Sequence, residues 1–300
     1  MRDPDIDAVT DAFEQYRRLL FTVAYDMLGS AADAEDVVQD AWLRWSSADR
    51  GDVVDPKSYL VRVTTNLALN RLRSARVRRE TYVGPWLPEP LLTTPDVAEE
   101  VEVAEAVSMA LLVVLETLSP VERAVFVLRE IFGLSAREVA EVLGRSETAV
   151  RQLAHRARAH VQARRPRYPA DRRTQERVTE RFRTAALDGD VAGLVAAMSP
   201  GVTILTDGGG RAKAALRPIV GADKVARFLV AVAAEGAGVP ELRLEAGDVN
   251  GAPAILAWTG SEPFLAMQVH VDAGRIDQVF VVRNPEKLAG LTSSRRPSVR

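Results

Sequence analysis

Three groups of residues in this 300-residue chain have types and spacings that could do chemistry. The first is basic and amide-rich. In "RSETAVRQLAHRARAHV" (145–161), Arg151, His155 and Arg158 recur at i, i+4 and i+7, with Arg145, Gln152 and Arg156 beside them. Arginine and glutamine pair bidentately with guanine and adenine edges in the major groove. The backbone N–H groups of Ser146–Thr148 would suit a phosphate. The plain alternative is a solvated face of a helical bundle. The second group is Tyr59, Arg62, Asn66 and Asn70, followed by Arg71 and Arg73. Amides, an aromatic ring and cations suit the unstacked bases of a single strand, although a mid-helix asparagine is often only solvated. The third is a carboxylate and an imidazole, Asp207 and His270, each with a plain structural reading. Asp207-Gly208-Gly209-Gly210 is a turn, since glycines allow positive φ and close backbone approach. His270 has no obvious partner and reads as structural.

Composition bounds what these groups can belong to. A length of 300 residues suits two or three domains. The absence of cysteine removes disulfides, a thiolate nucleophile and cysteine-based zinc sites, and is compatible with a reducing cytoplasm, the expected location. "MRDPDID" is acidic and polar, unlike a signal peptide. The longest apolar run, "MALLVVL" (109–115), is too short for a bilayer, so no membrane association is expected. The net charge is −2, yet arginine is clustered. Residues 62–79 carry six arginines and no acid, and residues 145–167 carry seven against one acid, Glu147. Such clustering is the footprint of phosphate contacts.

Helices must position the first two groups. In "DAEDVVQDAWLRW" (33–45), Val38, Trp42 and Trp45 form an apolar stripe, with Asp36, Gln39 and Asp40 largely off it. "DPKSYLVRVTTNLALNRLRSARVRR" (55–79) opens with an Asp-Pro helix start, and Tyr59, Val63, Leu67 and Leu72 are its expected buried positions. A further helix is expected over 96–118. "SPVE" (119–122) and "SARE" (135–138) are capping boxes, and Gly133 and Gly144 suit left-handed helix ends. Ser146 caps the basic helix, whose buried stripe is Val150, Leu153, Ala154, Ala157 and Val161. Two short helices across a tight turn, the second basic, make a helix-turn-helix pattern. Beyond a linker at 164–173 the pattern changes. One or two helices over 174–197 precede a strand and glycine turn at 201–214. A helix follows over 221–235, then strand-like runs. In those, Leu242/Leu244/Ala246 and Met267/Val269/Val271 alternate at period two, and "DAGR" (272–275) reads as a hairpin turn. This is an α+β domain with a sheet curled over helices. The last residues, from about 291, read as disordered.

"AYDMLGSAADAEDVVQDAWLRW" resembles conserved region two of bacterial RNA polymerase sigma factors of the extracytoplasmic-function type. "LSPVERAVFVLREIFGLSAREVAEVLGRSETAVRQLAHRARAHV" resembles their region four. "TYVGPWLPEP" (81–90), "DGGGR" (207–211) and "NPEKL" (284–288) are similar to a subgroup with a C-terminal SnoaL-like domain of the NTF2-like α+β type. The resemblance implies a multidomain chain. A region-two helical bundle spans 8–80, a linker 81–105, a region-four helix-turn-helix 106–165 and the SnoaL-like domain 172–290. It implies core polymerase as a partner, through the β′ clamp coiled coil and the β flap, and promoter DNA as the other. Asp33, Glu35, Asp36, Gln39, Asp40 and Trp42 would fall to core binding. Tyr59, Arg62, Asn66, Asn70, Arg71 and Arg73 would fall to the −10 strand. Arg145, Ser146, Thr148, Arg151, Gln152, His155 and Arg156 would fall to the −35 element. No cofactor, metal or catalytic residue is expected, and the free protein is expected to be a monomer.

The segment "ETYVGPWLPEP" (80–90) stands apart. Pro85, Pro88 and Pro90 forbid a helix and favour a stiff, extended strap. A tryptophan on a stiff strap suits a partner surface, and buried tryptophan is a common interface anchor. Trp86 and Leu87, with Pro88, Glu89 and Pro90, are therefore expected to dock on the tail domain. The receiving surface would be Asp207–Gly210 and Asn284, Pro285, Glu286, Lys287 and Leu288. The tail would then regulate the chain in cis, with a small-molecule ligand as its signal. Two rivals remain on sequence alone. One is a one-component helix-turn-helix regulator, which would not need the 33–45 block. The other, implied by the resemblance to a domain type some of whose members use an Asp/His pair, is a SnoaL-type enzyme fused to a DNA-binding region, with Asp207 and His270 as its acid–base pair.

Overall fold

The computed structural model describes residues 4–48, 53–93, 107–164 and 170–293. Residues 96–106 of the helix expected over 96–118 lie outside the described residues, as do 294–300 of the tail and 165–169 of the second linker. The chain divides into two compact units. One is drawn from Met1–Glu80 and Val114–Arg164, the other from Thr81–Val113 and Arg165–Arg300. The strap thus belongs with the C-terminal unit.

The first unit is helical. α1 (Pro4–Leu28), α2 (Ala31–Ser47) and α3 (Pro56–Glu80) pack on one another. Ser30 caps α2 through Asp33 N, and Asp55 starts α3 by accepting from Lys57 N and Ser58 N. Leu20, Met27, Val37, Val38 and Trp45 are buried, and Trp45 Nε1 donates to Val9 O. The expected stripe of α3 is displaced. Leu60, Val61, Thr64, Thr65, Ala68, Leu69 and Leu72 are buried, whereas Tyr59, Val63 and Leu67 are half-buried. The reason is that α3 packs on two sides. It meets α1 and α2, and also α5 (Pro120–Phe126) and α6 (Ala136–Leu143), so a one-sided period does not describe it. α4 (Met109–Leu115), whose residues up to Val113 belong to the second unit, precedes α5, a π-helical turn (Val127–Ile131) extends α5, and α7 (Glu147–Gln162) follows α6. Both capping boxes form, with Ser119–Glu122 and Ser135–Glu138 bonded reciprocally. Gly144 ends α6 at φ 60°, and Ser146 caps α7. Val150, Leu153, Ala154, Ala157 and Val161 are the buried face of α7, as expected.

The second unit is α+β. α8 (Arg172–Leu187) and α9 (Val191–Ala197) precede β1 (Met198–Asp207) and β2 (Ile219–Val220), and α10 (Ala222–Gly236) follows. Then come β3 (Leu242–Val249), β4 (Ala252–Thr259), β5 (Glu262–Asp272), β6 (Arg275–Val282) and α11 (Pro285–Ser293). The sheet order is β2-β1-β6-β5-β4-β3, with β1 and β6 parallel and the other pairs antiparallel. β1 begins three residues before the expected strand, and Ala246, expected inside, is exposed on the edge strand β3. Ala273 and Gly274, both at positive φ, make the expected hairpin turn. The sheet buries both faces. Phe182, Leu194, Ile204, Val225 and Leu229 join Ile255, Val269 and Val279 on one. Leu87 and Met109 join Trp258, Leu256, Phe280, Val282, Leu288 and Leu291 on the other.

Candidate functional site

The strap's docking site is built around one buried carboxylate. β1 ends at Asp207, which is fully buried. Its Oδ2 accepts from Leu87 N at 2.8 Å and pairs with Lys287 Nζ at 2.7 Å, and its Oδ1 accepts from Tyr82 OH at 2.6 Å. Lys287, also buried, donates in turn to Leu87 O. The strap's extended backbone has no sheet neighbour here, so two side chains satisfy the N–H and C=O that burial of Leu87 would otherwise orphan. Asn284 Nδ2 donates to Tyr82 OH at 2.8 Å, and Asn284 Oδ1 accepts from Glu286 N to start α11. Burial and the hydrogen bond to Asp207 push the Tyr82 phenol up, so it stays a donor. Lys287 Nζ also lies 3.9 Å from the Trp86 ring centre and 4.9 Å from that of Tyr82, within cation–π range.

The glycines are steric necessities. A Cβ on Gly208 would stand 2.2 Å from Ala212 O. One on Gly209, at φ +57°, would stand 2.3 Å from Asn284 Nδ2 and 2.8 Å from Tyr82 OH, and Gly210 faces Val83. The turn is therefore shaped for the strap and not only for itself. The anchor also differs from expectation. Leu87 is fully buried, with Pro88 and Pro90, while Trp86, Glu89 and Pro285 are not, Glu286 pairs with Arg211 outside, and Leu288 is buried beneath. Further along, Leu92 bridges Val249 antiparallel, and Leu91 exchanges hydrogen bonds with Asn250. The strap thus also adds to the free edge of β3. Tyr82 and Asn250 were not singled out in the sequence, although Tyr82 lies within the strap motif.

His270 does have a partner. Its Nδ1 is 2.6 Å from Asp277 Oδ1 across the β5–β6 hairpin. Asp207 stands opposite Val282 and His270 opposite Gln278, so the two lie at different heights along β6 and form no pair.

In the first unit, Arg145, Ser146, Thr148, Gln152 and His155 are exposed along the start and outer face of α7. Arg151 leans on Glu147 and Arg156 on Glu122, both exposed. The α2–α3 residues form one ionic cluster rather than two faces. Arg71 Nε donates to Asp33 at 2.7 Å and its other end pairs with Asp36, while Glu35 pairs with Arg17. Gln39 and Asp40 are exposed, and Trp42 is half-buried edge-on to Phe13 at 5.1 Å. Arg62 lies over the Tyr59 ring at 5.5 Å, and Arg73 donates to Asn70. Asn66 Nδ2 donates to Arg62 O and, at 3.3 Å, to Val142 O of α6.

A buried network went unnoticed in the sequence. Glu116 pairs with Arg79 and with the fully buried Arg123, whose Nε donates to Asp26 O. Arg79 also donates to Leu28 O at 2.7 Å. Burial pushes the Asp26 carboxyl up to about 7, against the pull of Arg123, and pushes Arg123 down to about 9.

A basic helix-turn-helix, an arginine-rich helix and a separate α+β domain define a multidomain DNA-binding protein. Sigma-70 region 2 matches residues 12–78 and Sigma-70, region 4 matches 108–161. The chain is 39% identical to the ECF RNA polymerase sigma factor SigJ of Mycobacterium tuberculosis over 93% of this chain and 92% of SigJ. It is 34% identical to the probable ECF RNA polymerase sigma factor SigI of the same species, over 94% of this chain and 95% of SigI. The crystal structure of SigJ matches with a TM-score of 0.76 at 35% identity, covering 94% of this chain and 98% of SigJ. The chain belongs to the extracytoplasmic-function RNA polymerase sigma factors. It is thus a promoter-specificity subunit acting with core polymerase on promoter DNA. Among the described residues no helix is long and apolar enough to cross a membrane.

Proposed function

We propose that this sigma factor is regulated in cis by its C-terminal domain, which acts by holding the linker between the two DNA-reading regions. The observation that carries this is Leu87, whose side chain is buried and whose N–H and C=O are both taken by Asp207 and Lys287. A linker folded onto its own domain is no longer a free spacer. The −35 element falls to Arg145, Ser146, Thr148, Arg151, Gln152, His155 and Arg156, and exposure of that face supports the assignment. Tyr59, Arg62, Asn66, Asn70, Arg71 and Arg73 serve the −10 strand. Asn66 is held by Val142 O and Arg71 by Asp33 and Asp36. Those contacts must open first, which supports reading the packed first unit as the resting, monomeric state. Exposed Gln39 and Asp40 serve the clamp. In this proposal the tail domain has no catalytic role, since Asp207 serves the strap and His270 is paired with Asp277.

Run-off transcription with purified core polymerase tests this. The full-length protein should direct a specific start. Leu87→Ala and Tyr82→Phe should both shift its output in one common direction, with Leu87→Ala the larger. Output unchanged in both would remove the cis-regulatory reading and leave the sigma activity standing.

A further inference from the structure

The second unit contains a cavity of about 870 Å³ between α8, α10 and the inner face of the sheet. That is the size of a pocket for a small organic ligand, roughly 300–1,000 Å³. Its walls are apolar, with Phe182, Phe228, Leu229, Ile255, Phe264 and Met267 among them. Three of its polar lining groups are already committed. Thr206 Oγ1 exchanges hydrogen bonds with Ala215, and Lys213 closes on Glu235 at 2.7 Å. Arg283 differs. Its guanidinium lies 4.0 Å above the Phe264 ring, and its Nε is buried with no hydrogen-bond partner among the described residues. Burial weighs against its charge, and the charge of Glu235 only partly offsets this. A buried donor left open in an apolar cavity calls for an acceptor from elsewhere, and a guanidinium fits a carboxylate-like one best.

We propose that this cavity binds an apolar small molecule bearing one anionic group of carboxylate type, with its hydrophobic body against Phe182, Phe228 and Leu229 and its anion on Arg283. Arg283 is also next to the strap's receiving surface. Its backbone N donates to Asp207 O at 2.7 Å, and Asn284 follows it. Occupancy of the cavity therefore reaches the residues that hold Leu87. This second step rests on the regulatory reading above, whereas binding itself does not.

Two probes of nearly the same shape separate the claims. 8-Anilinonaphthalene-1-sulfonate carries an anion, and N-phenyl-1-naphthylamine is its neutral counterpart. Both are titrated by fluorescence into the full-length protein. Both should saturate, and Ala186→Trp, which fills the cavity from α8, should abolish both. Arg283→Met should weaken the sulfonate tenfold or more and the neutral probe less than twofold. Arg283→Lys, which restores the charge, should bring the sulfonate back to within about threefold. Equal weakening of both probes by Arg283→Met, or sulfonate binding unaffected by Ala186→Trp, would overturn the site. So would a lysine variant as poor as the methionine one. For the second step, saturating decanoate should change amide exchange in residues 82–92 at least threefold in the wild type and not in Arg283→Met. Unchanged exchange with intact binding would remove the coupling and keep the site.

Discussion

Replacing Asp207 by asparagine removes one charge and adds no bulk. The carboxylate supports three groups at once, Leu87 N–H, Tyr82 O–H and Lys287 Nζ, at 2.8, 2.6 and 2.7 Å. An amide has one acceptor oxygen: turned one way its NH2 faces Leu87 N–H and Lys287, both donors, and turned the other it replaces the oxygen that accepts from Tyr82 OH. Lys287, almost fully buried, also loses its counter-charge. Removing one partner of a buried ion pair costs about 3–5 kcal/mol. Undocking relieves most of that cost, because it is the strap that covers Lys287 and supplies Leu87 and Tyr82. The penalty therefore falls on the docked state rather than on the domain. At about 1.4 kcal/mol per tenfold, it corresponds to exchange of the Leu87 amide faster by on the order of 10²–10³. Hydrogen–deuterium exchange of the peptide over 82–92 reads this directly. Tyr82→Phe, which loses one hydrogen bond to a charged group worth about 1.5–3 kcal/mol, should fall between wild type and Asp207→Asn. Asp277→Asn, which breaks only the His270 contact, should leave the strap protected. Acceleration below about threefold in Asp207→Asn would show that the carboxylate does not hold the strap.

Gly209→Ala should also release the strap. It combines a left-handed backbone with a clash against Asn284 and Tyr82, whereas Gly133→Ala, at φ +69° with open space around it, should cost only the roughly 1–2 kcal/mol of backbone strain. Melting and exchange together tell the two apart, and strap protection unchanged in Gly209→Ala would contradict the steric argument. Asp26 should give stability a pH dependence. Its native carboxyl keeps its proton up to about pH 7, while the unfolded chain releases it near 4. The native state thus binds the extra proton between those values, and stability falls as pH rises through that window and levels off above it. Asp26→Asn should lessen the fall in melting temperature between pH 5 and 7.5, and an identical fall in both proteins would count against it. On α7, Arg151→Ala should lose about 1–3 kcal/mol at one base pair of the −35 element, whereas Arg164→Ala should weaken binding evenly across sequences. Equal behaviour across a set of −35 variants would misplace the reading face.

The parts of this fold that can be read from the sequence are those decided within one turn or one period. The capping boxes at Ser119 and Ser135 and the Gly144 stop depend on residues three or four apart, and all form. The buried face of α7 has a single partner side, so its period is clean. α3 is packed on two sides, and there the stripe is displaced onto Leu60, Thr64, Thr65 and Ala68. The strap motif announces a docking segment, but not which residue points inward. On an extended chain the larger side chain attracts attention, and the geometry chose Leu87 over Trp86. Asp207 looked like a turn residue because its partner, Lys287, is 80 positions away. Asp277 was within reach of local reasoning. A two-residue turn at Ala273–Gly274 brings the residues on either side together, and His270 lies close to Asp277 on counting back.

The sheet's second face limits how the strap can let go. Leu256, Trp258, Phe280 and Val282 are apolar and buried there, and Leu87, Met109 and α11 are part of what buries them. Full release of residues 81–93 and 107–113 would expose that face to water at about 25 cal/mol for each Å² uncovered. The strap is held in two different ways, however. Residues 82–87 depend on the polar cluster of Asp207, Lys287 and Asn284. Residues 91–93 depend on backbone pairing with Val249, Asp248 and Asn250 at the edge of β3. A perturbation at Asp207 acts on the first and leaves the second in place. The economical movement is therefore a peeling of residues 82–88 away from Asp207 with the β3 pairing kept. That frees the chain just beyond α3 while most of the apolar face stays covered. The buried Asp207–Lys287 pair makes that end the sensitive one, because losing one partner of a buried ion pair leaves the other charge uncompensated.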